Sequence, residues 1–225
     1  MSASLLRARR FAPLFWAELL GVRDHVVRLA VAALVRVVYR VRSEGIDHVP
    51  EHGPAIVVAN HVSYADALVL GALCRRPVRF VMDHRIYASP ALRWFFRLTR
   101  AIPIAPRKED SGALERAFAE IERALDEGEV IGLFPEGKLT RDGEVDVFRP
   151  GIERILLSRP VPVVPVALRG FWGSFFSYRD GKPMRKLPSR VWSRIEVVAG
   201  RALAPAQASA QALRARVIAL RGAIR

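Results

Sequence analysis

His61 and Asp66 stand five residues apart in Asn60-His61-Val62-Ser63-Tyr64-Ala65-Asp66, directly after the apolar run Ala55-Ile56-Val57-Val58-Ala59. A neutral imidazole beside a hydroxyl can take its proton, and an aspartate on the other ring nitrogen fixes the tautomer and stabilises the imidazolium that forms. Such a pair needs no serine or cysteine nucleophile where the substrate brings its own hydroxyl. Ser63-x-x-Asp66 also reads as a capping box, in which both side chains satisfy backbone amides at a helix start. No metal is expected: two ligands are too few, and His25, His48, His52 and His84 form no ligand-spaced cluster.

The run Val130 to Phe134 reads as a second buried strand and also ends in polar groups, Pro135-Glu136-Gly137-Lys138-Leu139-Thr140-Arg141-Asp142-Gly143. Between the two lies Ala101-Ile102-Pro103-Ile104-Ala105-Pro106-Arg107-Lys108, a short apolar segment finishing in two cations. Val161 to Ala167 is a further apolar strand, and its prolines argue for a sheet edge or a bulge.

These four blocks, in this order and spacing over roughly residues 40 to 205, resemble the lysophospholipid acyltransferase family typified by bacterial 1-acylglycerol-3-phosphate acyltransferases. His61 and Asp66 match the family's H-x-x-x-x-D pair, and Asn60 the asparagine before it. Phe134-Pro135-Glu136-Gly137 matches the acceptor-binding block, Ile104 to Lys108 the basic block, and Val164-Pro165-Val166 the fourth. Lys138, Leu139 and Thr140 stand where the family commonly has T-R-S, and Ala105-Pro106 precedes Arg107-Lys108, so one cation is displaced and a hydroxyl relocated. This spelling looks more like the acyltransferase halves fused to lysophospholipid transporters.

The resemblance implies acyl transfer from acyl-coenzyme A or acyl carrier protein, without a further cofactor, to a lysophospholipid hydroxyl. The acceptor it implies is 1-acylglycerol-3-phosphate, giving phosphatidic acid, with lysophosphatidylethanolamine as the alternative. His61 would act as general base and Asp66 would orient it; Asn60, Glu136, Gly137 and Thr140 would shape the acceptor site. Arg107 or Lys108, with Lys138 and Arg141, would contact phosphate, and Pro165 would lie near the acyl or carrier site. Two competing readings are a thioesterase, in which His61 activates water, and a non-catalytic membrane-binding protein.

At 225 residues, 51% of them hydrophobic, the chain suits one compact domain and is too short for two ordinary ones. The net charge of +14 favours an anionic partner. A membrane surface is preferred to nucleic acid, since no helix-turn-helix, zinc-finger or RNA-binding aromatic signature is present and the cations interleave with apolar residues. The single cysteine, Cys74, permits no intramolecular disulfide and suits a reducing compartment.

The elements that must position these groups alternate. Val22 to Val41 is helical in pattern, with Val27, Ala30, Val31, Leu34, Val37 and Val38 on one face and Arg28, Arg36 and Arg40 opposite. Its charges break the roughly 20 apolar residues that a spanning helix needs, so it lies in the headgroup layer or packs on the domain's own core. Arg9 to Gly21 opens like a signal peptide, but Glu18 interrupts its apolar core, so it is expected to stay as a membrane-contacting segment. Further on come a helix over Ala65 to Leu73, a strand over Val78 to Met82, and helices over Ala91 to Leu98 and Ser111 to Glu127. A strand over Arg194 to Gly200 and a helix over Ala206 to Leu220 close the chain. Phe171, Trp172, Phe175 and Phe176 either grip an acyl chain or pack the core.

The order implies an α/β fold: a single domain with a mixed, largely parallel sheet flanked by helices, and site groups at the strands' carboxyl ends. The chain divides into an N-terminal helical membrane-interaction segment (1–41), an acyltransferase domain (42–205) and a C-terminal helix (206–225). The expected location is the cytoplasmic face of the inner membrane, peripheral or monotopic.

Overall fold

The computed structural model describes residues 22–187 and 192–224; Arg9 to Gly21 lie outside the described residues. A first helix, α1 (residues 22–38), leads into β1 (Arg40–Glu44), so Arg40 and Val41 belong to a strand and the helical pattern stops short of them. After β2 (Ala55–Ala59) come α2 (Asp66–Leu73), β3 (Val78–Asp83), the short helices α3 (His84–Tyr87) and α4 (Arg93–Leu98), and β4 (Ile102–Ile104). Then follow α5 (Ser111–Asp126), β5 (Val130–Leu133), α6 (Gly151–Ser158), β6 (Val163–Arg169), β7 (Arg194–Ala199) and α7 (Ala210–Arg221).

The strands form one seven-stranded sheet in the order β1-β7-β6-β2-β5-β3-β4, parallel except where β6 meets β7. All five residues of β2 are buried, as a near-continuous apolar strand covered on both faces must be. Val57 and Ala59 face a core shared with Ala32 and Val35 of α1 and Val69 and Leu70 of α2. Ile56 and Val58 face the other core, built from Phe118 and Ile121 of α5, Ile152 and Ile155 of α6, and Leu213 and Val217 of α7. Each such fully buried aliphatic side chain contributes about 1.5–3 kcal/mol.

β2 is the middle strand, and the winding reverses beside it: the chain leaves β2 through α2 toward β3 on one side, and leaves β5 through α6 toward β6 on the other. The crevice outside the strands' carboxyl ends at such a switch point is where open α/β sheets bind ligands.

Two pairs of alternatives narrow. β6 is an inner strand, so its prolines do not mark an edge. The bulge alternative holds. Val166 faces Ala199 and Val163 faces Leu203, so Val164 and Pro165 lie opposite three residues, Gly200, Arg201 and Ala202. The missing amide of Pro165 falls where the ladder is already interrupted. Of the two seats left open for the apolar face of α1, the core is taken by other residues: Ala32 and Val35 are buried, whereas Ala30, Leu34 and Val37 of that face are exposed. Arg28 belongs to the packed side, where its guanidinium donates to the Cys74 carbonyl at 3.3 Å, and Asp24 is clamped by Arg100 at 2.7 Å. The helix therefore has two apolar faces, one seated on the sheet and one turned outward.

Candidate active site

Asn60 ends β2 with a side chain that mimics a strand residue. Its Oδ1 accepts the Leu168 amide at 2.8 Å, and its Nδ2 donates to the Leu168 carbonyl at 3.1 Å. The amide extends the ladder toward β6 by one position while the main chain turns away into the loop.

The next residue, His61, donates from Nδ1 to Asp66 Oδ2 at 2.9 Å. An ionised carboxylate only accepts, so the Nδ1 proton is fixed and Nε2 is left as the basic nitrogen. The same Oδ2 accepts the amides of Val62 at 2.7 Å and Ser63 at 2.8 Å, and the Ser63 hydroxyl accepts the Ala65 amide at 3.1 Å. The capping box is not formed: the N-cap of α2 is Ala65, without a side-chain cap bond, and the Asp66 amide donates to the Ser63 carbonyl, so the carboxylate ties the loop's amides while it holds the imidazole.

Asp66 is fully buried, and its Oδ1 has no hydrogen-bond partner among the described residues. Burial raises its pKa; the His61 bond and the two amides pull it back in part. Beneath it, burial and the Asp66 charge push the Tyr39 hydroxyl up to about 12. Cys74, wholly buried and likewise pushed up to about 12 by burial, is a packed thiol rather than a nucleophile.

The imidazole lies flat on a ring from the neighbouring strand. His61 and Phe134 stack at 4.2 Å between centroids, and Phe134 stacks on Phe80 at 5.8 Å. Gly132 makes room for this row: a Cβ there would come within 2.4 Å of the Phe80 ring.

Glu136, 2% exposed, turns its carboxylate to two main-chain donors, His61 N at 2.8 Å and Asp146 N at 3.0 Å. Burial raises its pKa, with those amides acting against the rise. Gly137 closes a turn onto the Phe134 carbonyl with φ of 66°. Thr140 completes the frame, its amide donating to the His61 carbonyl at 2.9 Å. Beside it opens a polar cleft of about 360 Å³ whose walls include Lys138, Thr140, Arg141 and Arg214.

Asn60, His61, Asp66, Glu136, Gly137 and Thr140 therefore come together, and the remaining expected residues sit at varying removes. Lys138 is paired with Asp146 at 2.8 Å, and Arg141 lies over the Tyr178 ring at 4.8 Å. Arg107 and Lys108 are exposed on the turn after β4, the far edge strand, and Arg107 is 3.6 Å from Glu115. Pro165 is buried within β6 against Gly200. Phe171 is fully buried and Trp172 and Phe176 pack on the same core, so these aromatics support the loop from behind.

Sequence reasoning gave no role to Asp146, which supplies both an amide for Glu136 and a carboxylate for Lys138. It also passed over Arg149, whose amide donates to the Pro135 carbonyl at 3.0 Å. The Pro150-Gly151 turn signal after Phe148-Arg149 was the available cue.

An imidazole–carboxylate dyad at the carboxyl end of the central strand of a mostly parallel α/β sheet defines the class. The chain belongs to the acyltransferase family, whose model matches residues 40–169. It is 30% identical to the lyso-ornithine lipid O-acyltransferase of Pseudomonas aeruginosa over 76% of this chain and 61% of that protein. It is 26% identical to the chloroplast 1-acyl-sn-glycerol-3-phosphate acyltransferase of Arabidopsis thaliana over 59% of this chain and 36% of that one. The chain thus spans between about a third and three fifths of the length of these relatives. In fold it matches the crystal structure of the 1-acyl-sn-glycerophosphate acyltransferase PlsC of Thermotoga maritima, with a TM-score of 0.64 at 23% identity over 87% of this chain and 75% of that one.

Proposed function

We propose that this protein transfers a fatty acyl group from an acyl thioester, acyl-coenzyme A or acyl carrier protein, to the free hydroxyl of 1-acylglycerol-3-phosphate, giving phosphatidic acid. The observation that carries the reading is the 2.9 Å bond from His61 Nδ1 to the buried Asp66 carboxylate, which leaves Nε2 basic and the ring partly open to solvent. Nε2 takes the acceptor's hydroxyl proton as the oxygen attacks the thioester carbonyl; the carbon–sulfur bond breaks and the departing thiolate recovers the proton from the imidazolium. Asp66 stabilises that imidazolium, and no covalent enzyme intermediate forms.

The names of several relatives support this acceptor. A second reading, acylation of lyso-ornithine lipid, is supported by the 30% identity to an enzyme of that name.

The reaction takes place at an anionic bilayer on the cytoplasmic face of the inner membrane, with the protein seated peripherally. The outward face of α1 supports this seat: Val22, Val26, Leu29, Leu34 and Val37 are 50 to 73% exposed, and the chain carries a net charge of +14. Among the described residues no helix is long and apolar enough to cross a membrane.

The test is thiol release from oleoyl-coenzyme A or oleoyl-acyl carrier protein by wild type and His61→Ala. The acceptors are lysophosphatidic acid, lysophosphatidylethanolamine, lyso-ornithine lipid or none, with the lipid products analysed. Release that requires an acceptor and falls about 10²- to 10⁴-fold in the variant supports acyl transfer by a general base. Equal release without acceptor makes the protein a thioesterase, and silence with every donor and acceptor makes it a membrane-binding protein.

A further inference from the structure

The Phe134-Pro135-Glu136-Gly137 motif grips two different residues with alternate positions. Phe134 and Glu136 hold His61, by ring stacking and by the amide bond. Pro135 and Gly137 hold Arg149: the Pro135 carbonyl takes its amide at 3.0 Å, and the Gly137 backbone passes directly beneath its guanidinium. A Cβ at position 137 would lie 2.8 Å from the Arg149 Cζ and 2.9 Å from its Nε, so only glycine lets this side chain lie down on the motif.

The backbone of Arg149 is fixed on both sides, by Phe148 buried in the core and by Pro150 leading into α6. Its side chain is exposed and makes no ion pair or hydrogen bond among the described residues. The neighbouring cations are engaged, Lys138 with Asp146 and Arg141 with Tyr178, and Leu139 is buried at 7% exposure. Arg107 and Lys108 follow β4, three strands from β2, about 14 Å at the usual interstrand spacing.

We infer that Arg149 binds the phosphate of the acceptor's head group, presenting its planar fork from the same motif that fixes His61, and so sets selectivity for phosphorylated acceptors. This rests on the acyl-transfer reading above. A guanidinium held against a flat backbone keeps two donors aimed at a phosphate, a geometry that a lysine's single ammonium cannot reproduce. One rigid turn then sets the distance between the phosphate and the base.

The experiment compares wild type, Arg149→Ala and Arg149→Lys on lysophosphatidic acid and on monoacylglycerol, which has the same hydroxyls and no phosphate. The ratio of kcat/KM for the two acceptors should fall about 10- to 100-fold in Arg149→Ala, chiefly through KM for the phosphorylated one, with partial recovery in Arg149→Lys. An unchanged ratio overturns the inference.

A binding arm separates this outcome from failure of the acyl-transfer reading. Millimolar glycerol 3-phosphate should raise the melting temperature of wild type and not of Arg149→Ala, whether or not either acceptor turns over. Equal shifts, or none in either protein, overturn the assignment of Arg149. A wild type that shows the shift but acylates nothing keeps the anion site and discards the acyltransferase.

Discussion

Glu136 holds His61 by its main chain, not by its ring: one carboxylate oxygen accepts the His61 amide at 2.8 Å and the other the Asp146 amide at 3.0 Å. The loop after β2 is thereby tied to the loop after β5, and the imidazole inherits its height above the sheet from a residue that never touches the ring.

Glu136→Gln should break this tie at one end, because its NH₂ must face one of the two amide donors. The cost is about 1–3 kcal/mol for the orphaned donor. A displacement of the base by 1 Å costs on the order of 10²-fold in rate. Melting curves and kcat measure both. A fully active, equally stable variant would show that the His61 backbone is positioned without Glu136.

Asp66→Asn separates stability from activity. Burial raises the Asp66 pKa, so its contribution to folding is greatest below the ordinary aspartate range and is lost as pH rises through the raised value. The amide suffers no such loss. Denaturant titrations should find the variant gaining on wild type across that window and converging with it below, while acyl transfer at neutral pH drops by at least about 10²-fold. A difference in stability that does not change with pH would contradict this.

The ring row can be disturbed from its far end. Gly132→Ala puts a methyl within 2.4 Å of Phe80, the ring against which Phe134 rests. Overpacking of this kind costs about 1–3 kcal/mol, and the shift should pass to the imidazole as a fall in kcat. Adding Phe80→Leu should restore part of both, since it removes the nearer clash while Val78 Cγ1, 2.9 Å from the same methyl, stays. If the double variant is no better than the single, the row does not transmit the change.

The two faces of α1 should respond differently to polar substitution. Leu34→Gln with Val37→Ser, on the outward face, should leave stability within about 0.5 kcal/mol. The pair should weaken sedimentation with phosphatidylglycerol vesicles. Val35→Ser, on the packed face, should lower the melting temperature instead. Vesicle binding that survives the outward pair would remove α1 from the membrane contact.

Sequence was most informative where chemistry depends on short spacing. His61 and Asp66 are close in the chain and close in space, and the strands that carry the loops are legible because both faces of the sheet are covered. It was weakest where a side chain acts on a distant main chain. Nothing in the residue types around Glu136 tells that its partner is an amide 75 positions away. Pro165 suggested an edge because a missing amide is usually exposed there; a bulge in the returning strand removes the need. The α1 pattern left two seats open because the helix is apolar on two sides, and periodicity alone does not say which side packs on the core. Arg149 had only the Pro150-Gly151 turn signal to mark it, and a turn does not tell that its side chain lies over Gly137.

The parallel seam between β1 and β7 has a consequence for the order of assembly. The strand that follows α1 finds its partner, from Arg40 against Arg194 to Glu44 against Val198, almost at the other end of the chain. During synthesis α1 emerges long before β7 exists, while β2 and α2, which seat its inner face, follow it directly. Contacts of such long sequence separation also form slowly. On the bilayer seat proposed above, α1 could be moored to the membrane before β7 is made and the sheet that bears the candidate site has closed.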